Sequence, residues 1–518
     1  MSMDSEDQTI EPESSILETP RSESRFSSRA LAALCLAAFV VTVAVMLIHR
    51  PWSQPEAGDE AIWDYVAQCI VRGQVPYRDV VEIKAPLSAY LSATAILAGK
   101  AVGIRDVIAV RLLNIMMAGL LSTVTLLVGV IYLRSRVAAV LAFLIPLAPT
   151  HFCEWVVAGT EPKLPMILFG MLSLLLIAKR RPIWAGVFSM LACLCWQPGL
   201  MFTGVAVLIF SRYLTTWRNL AALKVMLGAA VPLLLLVLYF LWLGALADLW
   251  SWTVAFNFNV YAPETVKGLS ATLALLWKVL RRVFGLDIVL VALGFVGFIA
   301  FCLERVTSRF KRGDGGGEPD LSRDAVVILP LVYIAFCFLN FQSGPDLLPL
   351  FPFIGLFAGW CLVKLADAGF ARRFASPLPV LALLVIAALI LVRGATYKVD
   401  PSGTLRDQDE RVAAIGNLLG PDDRIYVQGP VEILVLLKRP NLNPYIFLDR
   451  GKDAWMVRGL PGGFGGLINE MDQAAPKVVA LSRLGKVAHR VELEQWAKQK
   501  YDPLELRGFD GVYLRRQP

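Results

Sequence analysis

The chain has 518 residues, of which 56% are hydrophobic and only 18% charged, an apolar share above the roughly 45–50% of soluble domains. That composition excludes an ordinary soluble protein and indicates a polytopic membrane protein. The net charge of +8, from 50 Lys and Arg against 42 Asp and Glu, is no sign of a nucleic-acid partner, because the bases sit in short loops beside apolar runs, where they act as topology signals.

Residues 1–29 are rich in serine and carry Asp4, Glu6, Glu11 and Glu13. They hold too little apolar material to fold and are predicted to be a disordered cytoplasmic tail. Arg21, Arg25 and Arg29 precede the first apolar run, Leu31 to Ile48, which places the N-terminus in the cytoplasm. With no small-residue cleavage site after it, that run reads as an anchor rather than a removed signal.

Residues 51–106 then form a first outer loop. Within it, residues 86–103 are apolar on one side but carry Ser88, Ser92, Thr94 and Lys100, as expected of a helix lying in the interface; a full crossing is the competing reading. Further spans are predicted at 107–132, 137–153, 164–178, 183–196, 198–211, 224–243, 284–303, 325–341, 346–363 and 377–393, about eleven transmembrane helices in all. Several are short and must thin the bilayer or shelter behind neighbours.

The charge pattern fits this count. Every loop it makes cytoplasmic is basic: Arg134 and Arg136; Lys179, Arg180 and Arg181; Arg212, Arg218 and Lys224; Arg305, Arg309, Lys311, Arg312 and Arg323; Lys364, Arg372 and Arg373. Merging 183–211 into one helix would reverse all later loops, so a break is placed at Gln197 and Pro198. One basic cluster disobeys: Lys278, Arg281 and Arg282 fall on the outer side, where cations bind lipid head groups or a substrate phosphate alike.

After Arg393 the apolar runs end. Residues 394–518 read as a small extracytoplasmic α/β domain, with strands at Arg424 to Gln428, Lys477 to Leu481 and Gly511 to Leu514, and a helix from Val491 to Tyr501. The run Gly459 to Gly466 lacks the spacing of a nucleotide fingerprint and is predicted to be a flexible loop, as is the Gly313 to Pro319 linker. Six cysteines, Cys35, Cys193, Cys195, Cys302, Cys337 and Cys361, lie in or beside apolar runs, and Cys69 and Cys153 near loops; no zinc or disulfide spacing emerges.

Chemistry is expected between Gly58 and Tyr90, which mixes Asp59, Glu60, Asp64, Asp79 and Glu82 with Arg72, Arg78 and Lys84. Asp59 and Glu60 come directly after the first span, at the membrane surface, where a carboxylate can accept a hydroxyl proton, bind a metal or simply be solvated. Arg78 and Lys84 lie just ahead of the interfacial helix, which Pro86 suits as a first-turn residue. They can hold a phosphate or snorkel. Glu161 lies in Gly159-Thr160-Glu161-Pro162-Lys163 at the mouth of a later span, on the same face as Asp59. His151 and Glu154, upstream of it, are an alternative metal set with Glu161, although a lone His at a helix end is more often only hydrogen-bonded.

Taken together these motifs resemble the GT-C glycosyltransferases, in particular bacterial relatives of the protein O-mannosyltransferases and of the lipid A aminoarabinose transferase. The resemblance rests on Asp59-Glu60 after the first span, on Pro76-Tyr77-Arg78-Asp79 followed by Lys84, Pro86 and Leu87, on Glu161-Pro162, and on Trp196-Gln197-Pro198-Gly199. It covers residues 30–210 well and the rest by topology. The chain departs from the family pattern at Ala85, where proline is common, and at Glu161, where aspartate is.

The resemblance implies a catalytic transmembrane region over residues 30–393 in a bacterial inner membrane. It implies transfer of a sugar from a polyprenyl-phosphate donor to an acceptor hydroxyl at the outer face, with inversion. The acceptor would be a glycolipid, a glycan or a protein. Asp59 would be the general base, Glu60 its acidic neighbour, and Glu161 would position the acceptor or support Asp59. Lys84 and Arg78 would neutralise the departing phosphate, joined by Lys278, Arg281 and Arg282 if the aromatic-rich loop from Gly244 to Arg282 closes over the carrier. No cofactor is required by this chemistry, and a divalent metal is compatible with it. A transporter or flippase of lipid-linked sugars is the competing class, disfavoured because the charges crowd the outer surface rather than mid-span. A ligase or polymerase of lipid-linked glycans differs mainly in its acceptor.

Overall fold

The computed structural model describes residues 27–56, 58–211, 220–312, 322–367, 378–399, 403–485 and 487–516. The predicted tail up to residue 26, the linker from Gly313 to Pro319 and the loop bases Arg212, Arg218, Arg372 and Arg373 lie outside the described residues.

Helix α1 (Ser28–Ile48) opens on Ser27, whose hydroxyl accepts the Ala30 N–H at 3.2 Å and satisfies one of the free donors of the first turn. Two shorter helices follow, α2 (Gly58–Val71) and α3 (Leu87–Ala101), and then α4 (Asp106–Leu133). Residues 137–153, expected as one span, are broken. Helix α5 (Arg136–Leu144) passes through a 3-10 turn into α6 (Thr150–Ala158), with a bend of 66°. Pro146 and Pro149 sit at the break and lack the N–H groups that would continue the ladder.

Next come α7 (Lys163–Ala178), α8 (Pro182–Cys195) and α9 (Leu200–Ser211), with the predicted interruption present as a 3-10 turn over Gln197–Gly199. Helix α10 (Ala221–Trp242) leads into the stretch expected to be a loop, which is instead mostly helical: α11 (Leu246–Trp250), two π-helical turns (Ser251–Ala255 and Asn257–Tyr261), α12 (Ala262–Thr265) and α13 (Leu269–Phe284). Helices α14 (Ile288–Arg312), α15 (Ser322–Asn340), α16 (Phe351–Asp367) and α17 (Leu378–Thr396) complete the bundle.

Among the described residues, seven helical segments are long and apolar enough to cross a membrane, or eight with the bent α5–α6 pair; α7, α8 and α9 are apolar but shorter. Helix α7 buries most of its length against α4, α8 and α9. A short span is tolerated there because neighbours, not lipid, surround it. By contrast Leu36, Leu235, Trp242 and Leu391 are largely exposed, as lipid-facing side chains are.

The C-terminal region is α/β: α18 (Leu405–Gly416), β1 (Ile425–Gln428), α19 (Glu432–Leu437), α20 (Lys452–Gly459), α21 (Gly463–Ala474), β2 (Val478–Leu481), α22 (Arg490–Lys500), β3 (Tyr501–Pro503) and β4 (Val512–Arg515). The sheet order is β1-β2-β4-β3, with β1 and β2 parallel and β4 antiparallel to both of its neighbours. The glycine run expected as a flexible loop supplies, from Gly463 onward, the first turn of α21.

This region shares a core with the first loop. Trp63, Val66 and Cys69 of α2 lie in one buried cluster with Val427, Leu434 and Val478. Gln68 Nε2 donates to the Val435 carbonyl at 3.1 Å, the Tyr65 hydroxyl accepts the Asn441 N–H at 2.6 Å, and Arg105 pairs with Asp409. The first loop and the C-terminal region therefore lie at the same end of the bundle.

Candidate active site

The site is assembled where α2, the turn before α3, the start of α7 and the C-terminal region meet. Arg111 on α4 does much of the positioning. It is fully buried, donates to the carbonyls of Pro51, Gln54, Pro55 and Ala158, and pairs with Glu56 at 3.0 Å. One guanidinium thus ties the end of the first span to the end of α6, using the planar fork that lysine lacks. Asn114 adds a bond to the Gly159 carbonyl. A Cβ at Gly159 would lie 3.0 Å from the Glu60 Cβ and 3.3 Å from an Asp64 oxygen, so glycine there lets the 159–163 turn press onto α2.

On α2, Asp64 accepts from the Thr160 hydroxyl at 2.5 Å and the Thr160 N–H at 3.2 Å. Burial nevertheless pushes its carboxyl up to about 6, against those bonds and the Arg111 charge. Burial, with the Glu161 carboxylate nearby, pushes Glu60 up to about 8, so it holds its proton at neutral pH. Asp59, one residue earlier, is exposed, and its carboxylate has no hydrogen-bond partner or ion pair among the described residues.

Lys84 is held by a backbone clamp. Glu82 is buried and accepts the N–H groups of Ile83 (2.7 Å) and Lys84 (2.8 Å), the Tyr77 hydroxyl donates to the Lys84 carbonyl at 2.7 Å, and Gln197 and Asn257 both donate to the Ile83 carbonyl. The Lys84 ammonium stands 5.3 Å from the Trp196 ring centre and 6.0 Å from that of Tyr261, a favourable cation–π position. It forms no ion pair among the described residues.

Asp59 and Lys84 line two adjoining cavities. The larger, about 300 Å³, is bordered also by Lys163, Trp196, Gln197, Asn257, Tyr261, Gln342 and Asp346. The smaller, about 60 Å³, is bordered by Glu82, Tyr261, Phe447, Arg450 and Lys452. Burial raises the Tyr261 phenol, but Lys84 and Arg450 outweigh it and hold the group below its ordinary value. Arg450 donates to Gln342 and, at 3.1 Å, to the Tyr261 hydroxyl. Four cations from three separate parts of the chain, Lys84, Lys163 and the Arg450–Lys452 pair, therefore converge around Asp59.

The other expected site residues are placed differently. Glu161 is buried and borders neither cavity; it pairs with the Lys163 ammonium at 3.0 Å. Arg78 is half exposed, pairs with Asp79 at 2.9 Å and donates to the Leu243 carbonyl. Lys278, Arg281 and Arg282 are exposed on α13 and border neither cavity. His151 and Glu154 pair with each other at 2.5 Å, and among the described residues no group of three His, Cys, Asp or Glu side chains is arranged to hold a metal ion.

Lys163, Arg450 and Lys452 escaped the sequence reading. Lys163 had a usable signal, since it closes the same five-residue motif as Glu161. The other two reach the site only through the packing of a distant domain.

No protein-family model matches the sequence, and no curated protein matches it. Solved structures do match the fold. ArnT from Cupriavidus metallidurans, bound to undecaprenyl phosphate, aligns with a TM-score of 0.53 at 14% identity over 80% of this chain and 86% of its own. The archaeal oligosaccharyltransferase AglB from Archaeoglobus fulgidus, in complex with an inhibitory peptide and a dolichol-phosphate, aligns with a TM-score of 0.52 at 13% identity over 94% of this chain and 74% of its own. The chain thus shares the multi-span fold of these two proteins.

Proposed function

We propose that the protein is a membrane glycosyltransferase that moves a sugar from a polyprenyl-phosphate carrier to an acceptor hydroxyl, with inversion, at the outer face of a bacterial inner membrane. The observation that carries this reading is the pairing of one unpartnered carboxylate, Asp59, with the cations Lys84, Lys163, Arg450 and Lys452 around two joined cavities at one end of a membrane bundle. The ArnT structure is bound to undecaprenyl phosphate and the AglB structure is in complex with a dolichol-phosphate, which agrees with a lipid-phosphate donor.

In this mechanism Asp59 takes the proton of the acceptor hydroxyl as its oxygen bonds to the anomeric carbon. The bond from that carbon to the phosphate oxygen breaks, and its electron pair leaves with the polyprenyl phosphate. Lys84, free of any ion pair, meets the charge that develops there, with Arg450 and Lys452 beside it. Glu161 sets the position of Lys163 and so supports Asp59 from behind the cavity wall. Glu60, carrying its proton, adds no second charge next to the base.

The test is transfer of radiolabelled sugar from a purified polyprenyl-phosphate donor to a membrane extract by the wild type, Asp59→Asn and Lys84→Ala at matched expression. Loss of transfer by at least a hundredfold in Asp59→Asn, with unchanged melting, is the expected result. Wild-type rates in both variants would remove the first loop from the chemistry. No transfer by the wild type, with flipping of the lipid-linked sugar instead, would assign a transporter.

A further inference from the structure

A second cavity, of about 620 Å³, lies in the C-terminal region away from the Asp59 site. It opens at the carboxyl ends of the parallel strands: Pro430 follows β1, and Ser482 and Arg483 follow β2. In open α/β sheets this edge is where ligands bind, because the loops leaving adjacent parallel strands diverge and leave a crevice. The crevice floor is tightly built. A Cβ at Gly429 (φ +104°) would lie 2.2 Å from the Ser482 carbonyl oxygen, and one at Gly511 (φ +74°) would lie 2.0 Å from that of Leu481.

Two features of the lining lack a structural explanation. Glu432 is 8% exposed, borders the cavity, and its Oε2 has no hydrogen-bond partner. A buried carboxylate oxygen left unsatisfied costs free energy that a bound donor would recover. Arg483 faces the same space from a backbone with φ of +57°, a left-handed conformation that L side chains adopt only at a cost. The mechanism proposed above uses neither residue.

The chemistry of the lining identifies the class of ligand. Glu432 and Asp510 accept hydrogen bonds and Arg483 donates them, while Arg490 and Glu494 on the same lining pair with each other at 2.7 Å. An anion would be repelled by the acids and a cation by the arginines. A polyol suits both, because each hydroxyl donates and accepts. Past Gly511 and Tyr513 the crevice continues into a second depression of about 510 Å³ beside Glu505 and Arg507, which is room for a chain of sugars rather than a single one. We infer that the crevice at the carboxyl ends of β1 and β2 binds a neutral saccharide chain. Its identification as the acceptor rests on the glycosyl-transfer reading, whereas the binding itself does not. The crevice and the site are linked through one helix contact: Glu432 opens α19, which packs on α2, the helix that presents Asp59.

The experiment uses the full chain in lipid nanodiscs, with saturation-transfer NMR for maltotriose and chitotriose as separate probes and phosphorus NMR line broadening for inorganic phosphate. Saturation of sugar ring protons is expected, with at least a fivefold loss in both Arg483→Ala and Glu432→Gln and no change in Asp59→Asn, melting temperatures being compared throughout. Because no donor and no turnover are needed, the result is independent of the transfer assay. Sugar saturation in a protein that transfers nothing would sink the proposed activity and leave this site standing. No saturation by either sugar, equal saturation in the variants, or retention of phosphate alone would overturn the saccharide site even if transfer is robust.

Discussion

The Glu161 carboxylate lies 3.0 Å from the Lys163 ammonium and also accepts the Lys163 backbone N–H at 3.2 Å, so one buried acid fixes both ends of the residue that presents a cation to the cavity. Asp346 adds a second anion at 3.7 Å. Removing one partner of such a buried pair costs about 3–5 kcal/mol, because the other is left desolvated without a counter-charge. With Asp346 remaining, Glu161→Gln should sit at the lower end of that range and slow transfer at least tenfold. Glu161→Asp, the residue common in the resembling family, should retain more activity than the amide. Equal rates and melting in Glu161→Gln and wild type would show that Lys163 needs no such support.

Glu60 makes stability depend on pH. Its folded value of about 8 lies above the ordinary 4.5, so between those values the folded chain keeps a proton that the unfolded chain releases. Stability is therefore greatest in acid and declines as pH rises through that window. Asp64, pushed up to about 6, contributes with the same sign between about 4 and 6. Glu60→Gln should flatten the decline and stabilise the protein at pH 8 by on the order of 1–3 kcal/mol, after allowing for partial solvent screening. Melting curves at pH 5, 6.5 and 8 give the answer; a wild type most stable at pH 8 would contradict the assignment.

Arg111 cannot be replaced by another cation. Lysine offers a single ammonium where four carbonyls and Glu56 are served now. Arg111→Lys should lose about 3–5 kcal/mol, by the cost of leaving a buried partner unpaired, and Arg111→Met a similar amount. Chemical denaturation in detergent measures both. The double variant Arg111→Met with Glu56→Gln should recover part of the loss, since no buried charge then remains alone.

The cations divide into those that border the cavities and those that do not. Arg450→Ala should raise the apparent donor KM about tenfold with a smaller change in kcat, as loss of a charge-assisted contact to phosphate predicts. Lys452→Ala should act in the same direction. Arg78→Ala and charge reversal at Lys278, Arg281 and Arg282 should leave the donor KM within about twofold of wild type, because none of these borders a cavity. A raised KM on reversal of the α13 cluster would mean that the carrier phosphate travels further along the surface than the cavities indicate.

Much of this was readable from residues. The apolar runs located α1, α4, α7 to α10 and α14 to α17, whereas α11 to α13 fall in a stretch expected as a loop, and the break at Gln197 and Pro198 followed from charge parity alone. Asp59 and Lys84 stood out because a short outer connector has no need of that mixture of charges, and they border the same cavities. What could not be read was depth and direction. Arg78 and Lys84 look equivalent in sequence, yet Asp79 captures the first while the Glu82 clamp turns the second inward. Glu161, expected to position the acceptor or to support Asp59, gave no local hint of its pairing with Lys163. The bend between α5 and α6 was concealed because hydropathy does not register where two prolines interrupt a ladder. Arg450 and Lys452 carry no local mark at all.

The shared core of α2 and the C-terminal region has a consequence for biogenesis. Gln68 and Val435 meet across 367 residues, so the packing of the helix that presents Asp59 waits on a region made long after it. Until that region folds, Asp59 stands beside an unfinished wall that lacks Arg450 and Lys452.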